Sequence, residues 1–171
     1  IYAAICAYVD SSKNEEVFEF QKKLMNECDE NAKNASGDNA KEKFAFYYAM
    51  SLVNATCEMT DSVMIQEKVD IINELLEKYQ TPEIAHCYAM ALVNATAKMT
   101  DSDKIQEKAE KIKTELFYKY QTPEIALQYA MALYNATAIK TTNSDERSRL
   151  AEKIKTEILA YEKYQTPEIA H

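Results

Sequence analysis

The chain is 171 residues long, with 20 Lys and Arg against 28 Asp and Glu for a formal charge of −8, 47% apolar residues, one glycine and three prolines. One glycine leaves almost nothing for the positive-φ positions of tight hairpins and dinucleotide-binding loops, which disfavours sheet-rich folds and glycine-rich phosphate cradles and points to an all-α fold. The length suits one domain with a packed interior, and no apolar run reaches the roughly 18 to 20 residues that would cross a bilayer.

From the start of the chain, Tyr2-Ala-Ala-Ile-Cys-Ala7 reads as a diverged copy of the Tyr-Ala-Met helix that recurs further on, with its opening turn missing. Residues 31–41 are the longest polar connection and hold Gly37, so an exposed, mobile loop is expected there. Beyond it the chain repeats itself. Tyr48-Ala-Met-Ser-Leu-Val-Asn-Ala-Thr56 returns as Tyr88-Ala-Met-Ala-Leu-Val-Asn-Ala-Thr96 and as Tyr129-Ala-Met-Ala-Leu-Tyr-Asn-Ala-Thr137, at spacings of 40 and 41. Tyr-Gln-Thr-Pro-Glu-Ile-Ala closes each unit, with prolines at Pro82, Pro123 and Pro167. The expected organisation is a single array over 1–171: a partial repeat 1–41, repeats 42–80, 81–121 and 122–165, and the start of another at 166–171. Because both ends fall inside repeats rather than in polar capping units, a fragment of a longer array is expected.

Each unit holds two helices. Thr81, Thr122 and Thr166 are side-chain caps, the following proline has no N–H to satisfy at the first helical position, and Glu83, Glu124 and Glu168 suit the positive end of the helix dipole. In the middle unit the first helix should run to about Met99, and Thr100-Asp101-Ser102 should break it and cap the second, which should run to about Tyr120. The second helix carries one apolar stripe, Ile105, Ala109, Ile112, Leu116 and Tyr120, among Lys and Glu, so its back should face solvent. The first helix, Ile84 to Ala97, has no charged residue and many alanines, so it should lie sandwiched between neighbours. Uncharged inner helices and amphipathic outer helices make an α-α superhelix, a right-handed two-layer solenoid of helix-turn-helix repeats. The unit-length changes should sit in the loop around Thr141 to Asn143 and at the end of the second helix, around Leu159 to Ala160.

The unit resembles the tetratricopeptide class, with partial similarity to armadillo and HEAT repeats. Tyr88 and Tyr129 stand six positions after Pro82 and Pro123, as the tetratricopeptide aromatic does, whereas the period is longer, tryptophan is absent, and Ala91-Leu92 and Ala132-Leu133 replace the usual Leu-Gly. The resemblance implies a scaffold without catalytic activity that offers a concave surface to peptide or protein partners.

Asn54, Asn94 and Asn135 occupy one place near the end of each first helix, in surroundings otherwise nearly free of polar groups. Stacked helices lie about 8 to 10 Å apart, so the three form a row able to hold an extended peptide backbone, similar to the asparagine ladder of armadillo repeats. The competing reading is that each satisfies the loop after it. Cys87, Met90 and Asn94 follow at helical steps, as do Gln128, Met131 and Asn135, and Met50 holds the equivalent place in the first full repeat; this stripe is the candidate inner surface, with plain core as the alternative for its methionines. Tyr79, Tyr120 and Tyr164 should pack across the start of the following helix.

Asn34, Asn54, Asn94 and Asn135 also head formal glycosylation tripeptides, of which only Asn34 lies outside a helix. His86 beside Cys87 is too small a set for a metal, and no nucleophile with a base is present, so no catalytic residue, metal or cofactor is assigned. The four cysteines have unrelated spacings, which suits a reducing, cytoplasmic setting. The function expected is a non-enzymatic scaffold for a protein or peptide, with basic partners favoured by charge and neither nucleic acid nor membrane. The alternatives are a structural array in a larger protein whose activity lies elsewhere and, behind it, a helical-repeat nucleic-acid binder.

Overall fold

The computed structural model describes residues 37–140 and 144–159, with 23 and 27 singly. The described residues form six helices and no strand: α1 (Asp38–Glu58), α2 (Ser62–Tyr79), α3 (Pro82–Ala97), α4 (Ser102–Lys111, continued by a π-helical turn Ile112–Phe117 and a last turn Tyr118–Tyr120), α5 (Pro123–Lys140) and α6 (Ser144–Leu159). None is long and apolar enough to cross a membrane.

Local chemistry sets the helix starts. Thr81 Oγ1 accepts from the Ile84 N–H at 3.3 Å and Thr122 Oγ1 from the Ile125 N–H at 3.3 Å, each with proline at the first helical position. Asp61 Oδ1 accepts from the Val63 and Met64 N–H groups at 2.8 and 3.2 Å, and Asp101 Oδ1 from Asp103 and Lys104 at 3.0 and 3.3 Å. Each satisfies first-turn donors that the helix itself leaves open.

The stops are less ordinary. Gln80 and Gln121 end α2 and α4 in the left-handed region, at φ 51° and 49°, where glycine is usual. A Cβ there costs roughly 1–2 kcal/mol. Both glutamines turn their side-chain amides back onto the helix, donating to Glu77 O at 3.5 Å and Tyr118 O at 3.3 Å.

The polar connection expected over 31–41 is shorter at its end. Gly37, at φ 149°, breaks the chain, and α1 starts at Asp38, whose carboxylate sits in the first turn; residues 31–36 lie outside those described. The repeat boundary drawn between 41 and 42 therefore falls inside α1, whereas those at 81 and 122 fall on capping threonines.

α3 packs against α1 and α5 on its flanks and against α2 and α4, and α5 packs in turn against α3, α4 and α6. This is why α3 can be apolar nearly all round: Ile84, Ala85, Cys87, Tyr88, Ala89, Ala91, Leu92, Val93, Ala95 and Thr96 are all buried. Alanines at 89, 91 and 95 let neighbouring backbones approach. α4 buries only its stripe, Ile105, Ala109, Ile112 and Leu116, with Phe117 beside it and Tyr120 half-buried. Side chains also bridge α4 to α2, Lys108 Nζ donating to Gln66 Oε1 at 2.9 Å and Lys119 Nζ to Gln80 Oε1 at 3.3 Å.

The extra residue of the second full unit is taken up inside a helix. α4 is one residue longer than the 18-residue α2, and the surplus is absorbed in the turn Ile112–Phe117, where the helix widens to a π pattern. An insertion would otherwise rotate every later side chain by about 100°; the wider turn keeps Ile112, Leu116 and Phe117 in the core.

Candidate interaction surface

The asparagine row is the most organised polar feature of the uncharged helices. Asn94 Nδ2 on α3 donates to Thr56 Oγ1 on α1 at 2.9 Å, and lies 3.5 Å from Val53 O and 3.2 Å from Cys57 Sγ. Asn135 Nδ2 on α5 donates to Thr96 Oγ1 on α3 at 2.9 Å. Each threonine is fully buried and spends its own proton on the carbonyl three residues back, Thr56 on Val53 O and Thr96 on Val93 O, both at 2.6 Å. Its remaining lone pairs must accept, and the asparagine of the next first helix supplies the donor. The result is a relay, asparagine to threonine to carbonyl, that ties α3 to α1 and α5 to α3.

Neither reading of these residues from the sequence included that contact. The partners of Asn94 lie 37 to 41 residues back rather than in the connection that follows α3. Thr56 and Thr96 are the site residues that sequence reasoning passed over; the signal was the repeated Asn-Ala-Thr, read only as a glycosylation tripeptide. In Asn94 and Asn135 the nitrogen that a sugar would modify is already bonded within the stack. Asn34 lies outside the described residues.

The other candidates separate by depth. Cys87 precedes Asn94 by two helical turns and so shares its face, turned to α1; it is 0% exposed. Gln128 stands in the same relation to Asn135 and is 9% exposed. Met50, Met90 and Asn54 are half-buried, and Met131 is exposed at 44%. The stripe is therefore not one continuous surface: its Cys87 and Gln128 positions belong to the stack, and its methionine and asparagine positions reach solvent.

The repeated aromatics act as anchors. Tyr88 is buried beneath Lys111, whose Nζ lies 5.5 Å from the ring centre, and Tyr129 stacks on Phe117 at 6.1 Å with Lys113 Nζ 5.8 Å from its ring. Tyr79 and Tyr120 are half-buried against the core, and Tyr164 lies outside the described residues.

Burial pushes the Cys87 thiol up to about 12, which leaves no thiolate for nucleophilic chemistry at neutral pH. Burial also lowers His86, with the Glu124 carboxylate pulling the other way. No three side chains of His, Cys, Asp or Glu converge as metal ligands among the described residues. What the row can offer is hydrogen-bond acceptance: with Nδ2 of Asn94 and Asn135 engaged, no donor among the described residues meets either Oδ1. Compared with protein-family models, curated proteins and solved structures, the chain finds no match.

Proposed function

We propose that the chain is a non-enzymatic protein-interaction scaffold, a right-handed two-layer solenoid of tetratricopeptide-like or armadillo-like repeats whose first helices line a concave surface for a peptide or protein. The observation that carries this reading is the asparagine row. Equivalent side chains recur at spacings of 40 and 41, the donor ends of Asn94 and Asn135 tie neighbouring helices, and no donor among the described residues meets their acceptor ends. Each leftover oxygen can take a backbone N–H from an extended segment, and the half-buried Met50 and Met90 and exposed Met131 beside it offer adaptable apolar contact. The main packing among the described helices, α1 with α2 and α3, α3 with α2, α4 and α5, and α5 with α4 and α6, supports the solenoid. The net charge of −8 favours basic partners and opposes nucleic acid. Free thiols at Cys57 and Cys87 suit a reducing, cytoplasmic setting.

The test is a fluorescence titration against a basic peptide library and against single-stranded RNA at two salt concentrations. Peptide binding that weakens when Asn54, Asn94 and Asn135 are all replaced by Ala, yet survives Thr56→Val with Thr96→Val, supports the acceptor row. The threonine pair controls for the stack, because it removes the inter-helix bond and leaves the asparagine oxygens in place. Salt-sensitive RNA binding, or peptide binding indifferent to all three asparagines, overturns the proposal.

A further inference from the structure

α1 and α3 present the same register positions toward α3 and α5 respectively. On α1 these are Ala49, Val53 and Thr56, all fully buried, with Thr56 receiving Asn94 of α3. On α3 they are Ala89, Val93 and Thr96, buried likewise, with Thr96 receiving Asn135 of α5. On α5 the equivalents are Ala130, Tyr134 and, in sequence, Thr137. Here the burial is lost: Ala130 is only half-buried, and Tyr134 is 64% exposed where Val93 is 4%. Met131, one position along from Ala130, is exposed as well. Two of the positions that receive a neighbour on α1 and α3 are thus repeated on α5, at Ala130 and Tyr134, with no described residue over them.

We infer that this face of α5 is a docking surface for one more helix of the first type, uncharged and alanine-rich. The occupant is identified by continuity with the α1–α3 and α3–α5 contacts and by the chain's own sequence, since Thr166-Pro-Glu-Ile-Ala-His171 repeats the opening of α3 at Thr81-Pro-Glu-Ile-Ala-His86. Tyr134 in place of valine supplies a large aromatic contact with a hydroxyl at its tip, the kind of side chain that anchors interfaces. The inference rests on reading α1, α3 and α5 as successive copies of one stacking step.

The experiment extends the 171-residue chain beyond His171 with a copy of residues 87–99, which completes a helix of the α3 type. The expected result is a rise in melting temperature of roughly 4 °C or more, because a nearest-neighbour interface has been added, with slower amide exchange along α5. Tyr134→Lys should abolish the gain in the extended chain while leaving the unextended chain unchanged, since Tyr134 is exposed there. No gain, or an equal gain with Tyr134→Lys, overturns the inference. So does concentration-dependent self-association of the unextended chain that Tyr134→Lys abolishes, which would assign the face to a second copy. Asn94→Ala in the unextended chain tests the stacking step alone: destabilisation there, with no gain on extension, refutes the α5 surface and leaves the stacking intact.

Discussion

Replacing Thr96 by Val tests the relay with little change of shape. The two side chains are both β-branched and close in volume, so no cavity opens at this fully buried site, and the hydroxyl alone is lost. That hydroxyl accepts from Asn135 Nδ2 at 2.9 Å and donates to Val93 O at 2.6 Å. Val93 O keeps its ladder bond within α3, so the main loss is the inter-helix bond. A neutral hydrogen bond is worth about 1 kcal/mol net, and stranding a half-buried amide brings the expected cost to about 1–2 kcal/mol. Asn135→Ala should cost less, because alanine regains roughly 0.5 kcal/mol of helix propensity. The double variant cancels the propensity and solvation differences and should show a coupling of about 1 kcal/mol. Urea titrations followed by far-UV circular dichroism on the four proteins measure it, and the melting temperature of each single variant should fall by about 2–4 °C per kcal/mol at this chain length. Strictly additive single and double variants would show that Asn135 and Thr96 do not support one another, and the relay would have no role in joining α3 to α5.

Deleting Thr114, an exposed residue inside the π turn, should return α4 to the length of α2 and leave stability within about 1 kcal/mol of the parent. Deleting Glu74 at the matching place in α2, which has no wide turn, should rotate Leu76 out of the core and cost about 2–5 kcal/mol; equal losses from the two deletions in urea titrations would refute the account of the insertion. The folded state holds His86 below its ordinary value of 6.5, chiefly by burial, so it favours the neutral ring. Its stabilising effect is complete above 6.5 and is lost as pH falls from there toward the lower folded value. His86→Gln should therefore flatten the decline in urea midpoint on acidification, and an unchanged decline would remove His86 as a contributor.

Much of this architecture is legible residue by residue because it is local. Thr-Pro-Glu marks the starts of α3 and α5, since a capping oxygen and a missing N–H act within one turn. The stripe of Ile105, Ala109, Ile112 and Leu116 identifies the half-exposed α4, and the uncharged run from Ile84 to Ala97 identifies the enclosed α3, because apolar periodicity reports how many sides of a helix are covered. The all-α class follows from one glycine in 171 residues. Glutamine in the left-handed stops at 80 and 121 is the departure from that logic, made workable by an amide that bonds back to its own helix.

What neighbouring helices decide is not written in any window of the chain. The wide turn at Ile112–Phe117 exists because three side chains must stay in a core built by α3 and α5, so an insertion with no local signature becomes a change of helix type. Asn94 and Thr56 are 38 residues apart, and only the register of α3 on α1 turns two polar groups with several local options into partners. Val93 and Tyr134 occupy one position of the repeat, yet one is buried and the other open. A side chain's place in a repeat fixes the direction in which it points, and the next helix determines what it meets there.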